Sequence, residues 1–288
     1  MTSSFKNNLE DEMPVLIAGP TASGKSKLAL SIANKSGGVI INADSMQVYD
    51  CWQLLSARPS EDDLRTSTHE LYGHVNFQSK YSTGHWLRDI KKILTKRQRP
   101  IIVGGTGLYF SALLNGLSEI PMISELTRTQ ANSLPIDSLF KELDDETKSK
   151  LDPKNKPRIQ RAWEVLKETG IPLIEWQSNT PPPLLNLNEV NTILMHVDKN
   201  VLEANITSRF DKMLKNGVLE EVTAMKNGWD VNKTYTKVIG GSQLISYLNG
   251  TTSLEEAREK TIIASRQYAK RQRTWFRSNM SNWKPFLA

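Results

Sequence analysis

Residues 14–26 read PVLIAGPTASGKS, and their reading decides the fold. The apolar run Val15 to Ala18 enters a loop that fits G-x-x-x-x-G-K-[ST], with Gly19, Gly24, Lys25 and Ser26 in the fixed places, and KLALSIA follows with helical character. Strand, glycine loop and helix in that order make the spacing a phosphate-binding loop. Glycine lets backbone N–H groups curl around an anion, the helix start adds its positive dipole end, Lys25 supplies a point charge, and the Ser26 hydroxyl can ligand Mg²⁺. Gly19, Pro20, Thr21, Ala22, Ser23, Gly24, Lys25 and Ser26 are thus the expected diphosphate- or nucleotide-binding residues. The motif leaves open whether phosphate is transferred, hydrolysed or merely released.

Outward from the loop, apolar runs alternate with amphipathic helices. VIIN (39–42), the helical stretch YSTGHWLRDIKKILTKRQ and PIIVGG (100–105) continue the pattern of a parallel sheet covered by helices. The fold class expected is α/β, a P-loop NTPase-like parallel sheet with an inserted helical subdomain. From about Ser118 strand signals stop, prolines become frequent, and the segment ends in TPPPLL. Its best helix is PRIQRAWEVLKETGIP, with Ile159, Ala162, Trp163 and Leu166 on one stripe and Gly170 then Pro172 at its end. Sheet character returns with NTILMHVD (191–198), followed by a helix from about Val201 that ends near Asn216 and Gly217. The division expected is a catalytic core over 13–118 and 189–288, a helical insertion over 119–188, and a loose polar tail over 1–12.

A chain of 288 residues with 38% hydrophobic content suits an ordinary globular core, and a net charge of +6 favours an anionic partner. The single cysteine, Cys51, excludes an intramolecular disulfide and a Cys-rich zinc module, which points to a reducing compartment. The start has no apolar h-region and no apolar run approaches the length of a membrane span, so the expectation is a cytoplasmic protein without a membrane partner.

A P-loop enzyme that activates water usually carries an Asp at the end of a second apolar strand, to hold Mg²⁺. IIVGGTG ends instead in glycines and Thr106, which argues against ATP hydrolysis. The acid appears earlier, in INADSMQVYD, where Asp44 projects from the carboxyl edge of the sheet on the rim that carries the phosphate loop. It suits a general base, or else a helix N-cap or loop Asp. Arg209, beside the stripe Leu202, Ile206, Phe210 and Met213, can clamp departing phosphate oxygens or lie solvated. In the last helix Arg266, Lys270, Arg273 and Arg277 recur at steps of four, three and four. Like charges so spaced repel unless an anion lies along them, while Ile262, Ala269 and Phe276 on a neighbouring face can dock the helix on the core.

GPTASGKS, INADSMQVY, IIVGGTGLYF, SRFDKML, KVIGGSQL and RQYAKRQRTWFR, in this order from about residue 14 to residue 278, resemble the tRNA dimethylallyltransferases, or tRNA isopentenyltransferases. The resemblance implies transfer of the dimethylallyl group of dimethylallyl diphosphate to N6 of the adenosine immediately 3′ of the anticodon. It implies that the loop holds a diphosphate and that a carbon–oxygen bond is broken, with Mg²⁺ at Ser26. By resemblance Asp44 is the base, Arg209 the leaving-group arginine and Thr106 a substrate contact, with Lys25 stabilising charge on the diphosphate. The tRNA contacts implied are Asp44, Ser45, Met46, Gln47 and Thr106, then Arg128, then Pro157, Arg158, Ile159, Gln160 and Arg161, with the stripe Arg266, Lys270 and Arg273 as a further basic surface. Gln47 could pair with an adenine edge through its amide. The implied partners are the anticodon stem-loop of tRNA and the allylic diphosphate, met by a monomer. Gly241 departs from the aromatic that many relatives carry there. The zinc finger of eukaryotic relatives is missing, as in a shorter bacterial form. His69 and His74, five apart, read as structural. Three rivals remain: a P-loop kinase for a small metabolite, an adenylate isopentenyltransferase that modifies free nucleotide, and an RNA-binding protein with a dead P-loop.

Overall fold

Val15 to Ala18 are buried at all four positions, as a strand covered on both faces must be. In the computed structural model, which describes residues 12–96 and 98–288, this strand is β1 (Val15–Ala18) and leads through the phosphate loop into α1 (Lys25–Ser36). β2 (Val39–Asn42) is followed by a long loop, α2 (Glu61–Thr66) and β3 (His69–Glu70); α3 (Thr83–Leu94) then leads to β4 (Pro100–Gly104) and α4 (Gly107–Asn115). A helical stretch follows: α5 (Glu125–Ser133), α6 (Ile136–Lys141), α7 (Asp145–Lys150), α8 (Lys156–Thr169) and α9 (Leu173–Ser178). The sheet resumes with β5 (Asn191–His196), then α10 (Lys199–Lys215), α11 (Val218–Met225), α12 (Gly241–Leu248), α13 (Leu254–Asn279) and β6 (Lys284–Leu287). The polar tail expected over 1–12 lies, except for Glu12, outside the described residues.

The strand order is β3-β2-β4-β1-β5-β6, with every pairing parallel. The sheet is that of the expected α/β, P-loop NTPase-like class. β1 lies between β4 and β5, with Val15 opposite Ile101 on one side and Asn191 on the other. The carboxyl ends of β2, β4 and β1 therefore stand side by side, and the loops after Asn42, Gly104 and Ala18 share one rim. Two strands escape the sequence reading. β3 has only two residues, and β6, KPFL, buries Phe286 alone and contains a proline, which an edge strand with one neighbour tolerates. The helix expected over 81–98 is shorter. Ser82 and His85 form a capping box that starts α3 at Thr83, and the helix ends at Leu94.

The chain divides into two compact units, Asn115–Leu184 and the segments on either side of it. The first has its own core, in which α8 sets Ile159, Ala162 and Trp163 against Ala131, Leu139 and Leu143. Asn155 caps α8 through the N–H of Arg158, proline stands in its first turn, and Gly170 ends it in the left-handed conformation. In the other unit α10 buries Leu202, Ile206, Phe210 and Met213, the stripe the sequence marks. The packing around Gly241 has a direct account. A Cβ there would come 2.6 Å from the Trp229 ring and 2.9 Å from a Val238 methyl, so the indole of Trp229 occupies the space a side chain would need.

Candidate active site

The phosphate loop is held in its curl from inside. Ala22 at φ 62° and Gly24 at φ 82° are both left-handed, a conformation free for glycine and strained for alanine. Lys25 is only 9% exposed and its Nζ donates to the Pro20 carbonyl at 3.3 Å. Burial drives its pKa down to about 8; Asp44 pulls it up and Arg209 pushes it further down. Ser23, at 2% exposure, has a hydroxyl with no hydrogen-bond partner among the described residues. A buried orphan of that kind is costly, and this one lies within the glycine loop between β1 and α1.

Asp44 follows β2 directly. Its neighbour Asn42, fully buried, accepts from the Asp44 N–H at 2.8 Å and donates to the Asp44 carbonyl at 2.9 Å and the Leu71 carbonyl at 3.0 Å. Asp44 Oδ1 accepts from the Met46 N–H at 3.0 Å. No helix begins there, so the helix-cap alternative is not realised; the carboxylate closes a local turn with one oxygen. Among the described residues no hydrogen bond reaches Oδ2. From β4 the Thr106 hydroxyl accepts from the Ser45 N–H at 2.9 Å, and the Thr106 N–H donates to the Ala43 carbonyl at 3.1 Å. A Cβ at Gly104 would collide with the Ala43 backbone, which is why this strand ends in glycine.

Arg209, on α10, donates from Nη2 to the Thr21 hydroxyl at 2.6 Å. Burial lowers its pKa and Asp44 raises it, so the guanidinium, the Lys25 ammonium and the Asp44 carboxylate share one electrostatic neighbourhood. The loop is also braced by Gln272 of α13, which sequence reasoning passed over. Its Oε1 accepts from the Thr21 N–H at 2.9 Å and its Nε2 donates to the Gly105 carbonyl at 2.9 Å. Asn42 escaped in the same way. In each case the available signal was a polar residue at a position the local pattern buries.

The residues expected to touch RNA fall into different environments. Arg266, Lys270, Arg273 and Arg277 are all exposed along α13, while Ile262, Ala269 and Phe276 are buried on its other side. Arg266 lies 3.8 Å from the Glu203 carboxylate. Pro157 and Arg158 are exposed at the start of α8. Gln160 donates to Asn132 at 2.8 Å and to Glu164 at 3.0 Å. Arg161 has its pKa lowered by burial and by Arg128, against the pull of Glu164, and Arg128 Nε is buried with no partner among the described residues. Ile159 needs correction. It is 0% exposed because it lies on the inward stripe of α8, so it is core and not contact surface. Gln47 needs one too. Its amide nitrogen donates to the Ser56 and Ala57 carbonyls at 2.9 and 3.2 Å, which leaves only its carbonyl oxygen for a base edge. Met46 packs partly buried against the core, and Ser45 is half-buried.

Among the described residues no three His, Cys, Asp or Glu side chains gather to hold a metal. His69 bonds the Ser67 carbonyl at 2.8 Å, and His74 bonds the Tyr81 hydroxyl at 3.2 Å. The Ser26 residue is exposed at the start of α1, beside the buried Lys25. One hydroxyl is a hard oxygen donor of the kind Mg²⁺ accepts when phosphate oxygens and water complete its shell. Among the described residues no helix is long and apolar enough to cross a membrane.

A family profile described as IPP transferase matches residues 47–279, and one described as Isopentenyl transferase matches residues 13–75. The tRNA dimethylallyltransferase of Ruegeria sp. (strain TM1040) is 50% identical over 272 residues, 94% of each chain. That of Roseobacter denitrificans is 51% identical over 276 residues, 96% of this chain and 99% of the relative. Among solved structures, the full-length tRNA isopentenylpyrophosphate transferase from Bacillus halodurans aligns with a TM-score of 0.69 at 28% identity, covering 96% of this chain and 90% of that one. A eukaryotic dimethylallyltransferase acting on tRNA aligns with a TM-score of 0.80 over 95% of this chain and 73% of that one; at 24% identity it speaks for the fold.

Proposed function

The chain belongs to the IPP transferase family, and from that premise we propose that it transfers the dimethylallyl group of dimethylallyl diphosphate to N6 of the adenosine immediately 3′ of the anticodon of tRNA. N6 bonds to C1 of the allyl group, the C1–O bond breaks with its electron pair leaving on diphosphate, and the N6 proton passes to Asp44. The exocyclic amine is a poor nucleophile because its lone pair is drawn into the ring. A carboxylate that takes the proton as the bond forms lowers that barrier. Oδ2 of Asp44 serves, since Oδ1 is spent on the Met46 N–H.

The leaving diphosphate gathers negative charge on oxygen. Lys25, the loop amides and the helix start stabilise it from one side and Arg209 from the other. Thr106, bonded through its oxygen to the Ser45 N–H, keeps its own O–H for a substrate acceptor. Mg²⁺ at Ser26, bound together with the diphosphate, would neutralise part of its charge.

The tRNA lies on Asp44 to Gln47, on the exposed stripe of α13 and, through Arg128, Arg158 and Arg161, on the helical unit. Burial and the nearby Arg128 charge both disfavour the charged Arg161 guanidinium, and a phosphate between the two side chains would offset that. The target base must leave its stack to reach a carboxylate on the sheet rim. One chain carries every residue named, so a monomer suffices, and a tRNA substrate suits the cytoplasm.

The observation that supports this reading is geometric: the loops after β1, β2 and β4 share one rim, Thr106 bonds the Ser45 N–H beside Asp44 at 2.9 Å, and Arg209 bonds Thr21 of the glycine loop at 2.6 Å. Incubation with labelled dimethylallyl diphosphate, Mg²⁺ and bulk tRNA should move label into RNA and release diphosphate. Label retained wholly in the small-molecule fraction, with tRNA known to lack the modification, overturns the assignment.

A further inference from the structure

Gln272 is 6% exposed and lies on α13 between Arg271 and Arg273, both exposed. Its amide spans the loop ends of two neighbouring strands, accepting from Thr21 N–H after β1 and donating to the Gly105 carbonyl after β4, each at 2.9 Å. Those partners fix the amide's orientation, because an N–H can only donate and a carbonyl only accept. A Cβ at Gly105 would drive into the Gln272 nitrogen, so the second glycine of GGTG is where this side chain enters. Thr21, held by its backbone, in turn offers its hydroxyl to Arg209 Nη2 at 2.6 Å. Packing of α13 is provided separately by Ala269 and Phe276, each 2% exposed.

We propose that Gln272 is a positioning residue for diphosphate departure: it fixes the Thr21 segment of the phosphate loop, and the Thr21 hydroxyl thereby aims the Arg209 guanidinium at the leaving oxygens. The Thr21 N–H, being bound to Gln272, is not one of the amides offered to phosphate. This inference rests on the prenyl-transfer reading for its role in catalysis and stands apart from it for binding.

The test compares wild type with Gln272→Met, which keeps length and removes both hydrogen bonds, and with Thr21→Val, which leaves the backbone bond and α13 untouched and removes the hydroxyl that meets Arg209. Calorimetry with inorganic diphosphate reads the cradle directly. Steady-state transfer gives KM for each substrate and kcat. Loss of a buried hydrogen-bonded brace predicts about a tenfold rise in diphosphate Kd and in KM for dimethylallyl diphosphate in either variant, with KM for tRNA within about twofold of wild type. In an Arg209→Lys background Gln272→Met should add less than about threefold, because a residue that acts through the arginine has little left to disturb. A lowered Tm with unchanged diphosphate Kd and KM makes Gln272 a packing residue and overturns the proposal. So does a full tenfold effect in the Arg209→Lys background. Should wild type bind diphosphate but transfer nothing to tRNA, the functional reading falls while the calorimetry still decides Gln272.

Discussion

Lys25 makes diphosphate binding depend on pH in a range where surface lysines do not titrate. Its pKa of about 8 in the free chain comes chiefly from burial, which penalises the charged form. A bound diphosphate restores the charge, so above pH 8 binding must take up a proton. The lysine is about 90% charged at pH 7 and about 10% charged at pH 9, so the apparent Kd for diphosphate should weaken about tenfold between them, or about 1.4 kcal/mol. Arg209 stays charged throughout and contributes no slope. Calorimetry with inorganic diphosphate at pH 7, 8 and 9, in buffers of different ionisation enthalpy, reads both the affinity and the proton exchange, and the excess uptake of wild type over Lys25→Met, in which the diphosphate's own ionisation cancels, should be about half a proton at pH 8. Lys25→Met should bind weakly, with only the pH dependence that the diphosphate's own ionisation supplies. The same burial sets stability without ligand: the unfolded lysine keeps its proton up to its ordinary value of 10.5, the folded one only to about 8. Stability therefore rises with pH between those values, and below pH 8 the full penalty, about 3 kcal/mol, is removed by Lys25→Met. A wild-type Kd that does not change from pH 7 to 9, or a Lys25→Met chain that melts below wild type at pH 7, would refute the burial of a charged ammonium as the cause.

Asp44→Asn keeps an oxygen for the Met46 N–H but cannot take a proton, so single-turnover transfer should fall by about 10² to 10⁴ with binding of both substrates retained; a loss under about fivefold leaves Asp44 as a turn residue. Neutralising Arg266, Lys270 and Arg273 together should weaken tRNA binding and flatten its salt dependence by up to about three in the log–log slope, leaving diphosphate Kd unchanged, and equal slopes for variant and wild type count against α13 as the RNA face. Gly241→Ala forces a Cβ into the Trp229 ring and should cost about 1 to 3 kcal/mol in chemical denaturation with KM for both substrates unaltered; a stability equal to wild type means the indole moves freely.

The sequence by itself determined the elements whose signal is local. PVLIAGPTASGKS carries strand, turn and helix start in thirteen consecutive residues, and β1, β2, β4 and β5 show as apolar runs because a strand covered on both faces has no polar side to present. The stripe of α10 and the capped, glycine-terminated α8 were legible for the same reason, that their periodicity and end chemistry lie within one helix. Asp44, Lys25 and Thr106 could be picked out because each follows a strand that the pattern already places on the sheet rim. What only the tertiary structure decided are the contacts between residues far apart in the chain. The bond from Gln272 to Thr21 spans 251 positions and that from Arg209 to Thr21 spans 188, and no local pattern can encode either. The two amide hydrogens of Gln47 are taken by carbonyls in a loop whose path is irregular, and β3 and β6 exist only because neighbouring strands supply their hydrogen bonds. Ile159 shows the limit from the other side: a family's contact segment carried over whole includes a residue that the helix's own apolar stripe turns inward, and the packed helix bears the stripe out, with Ile159 buried beside an exposed Arg158.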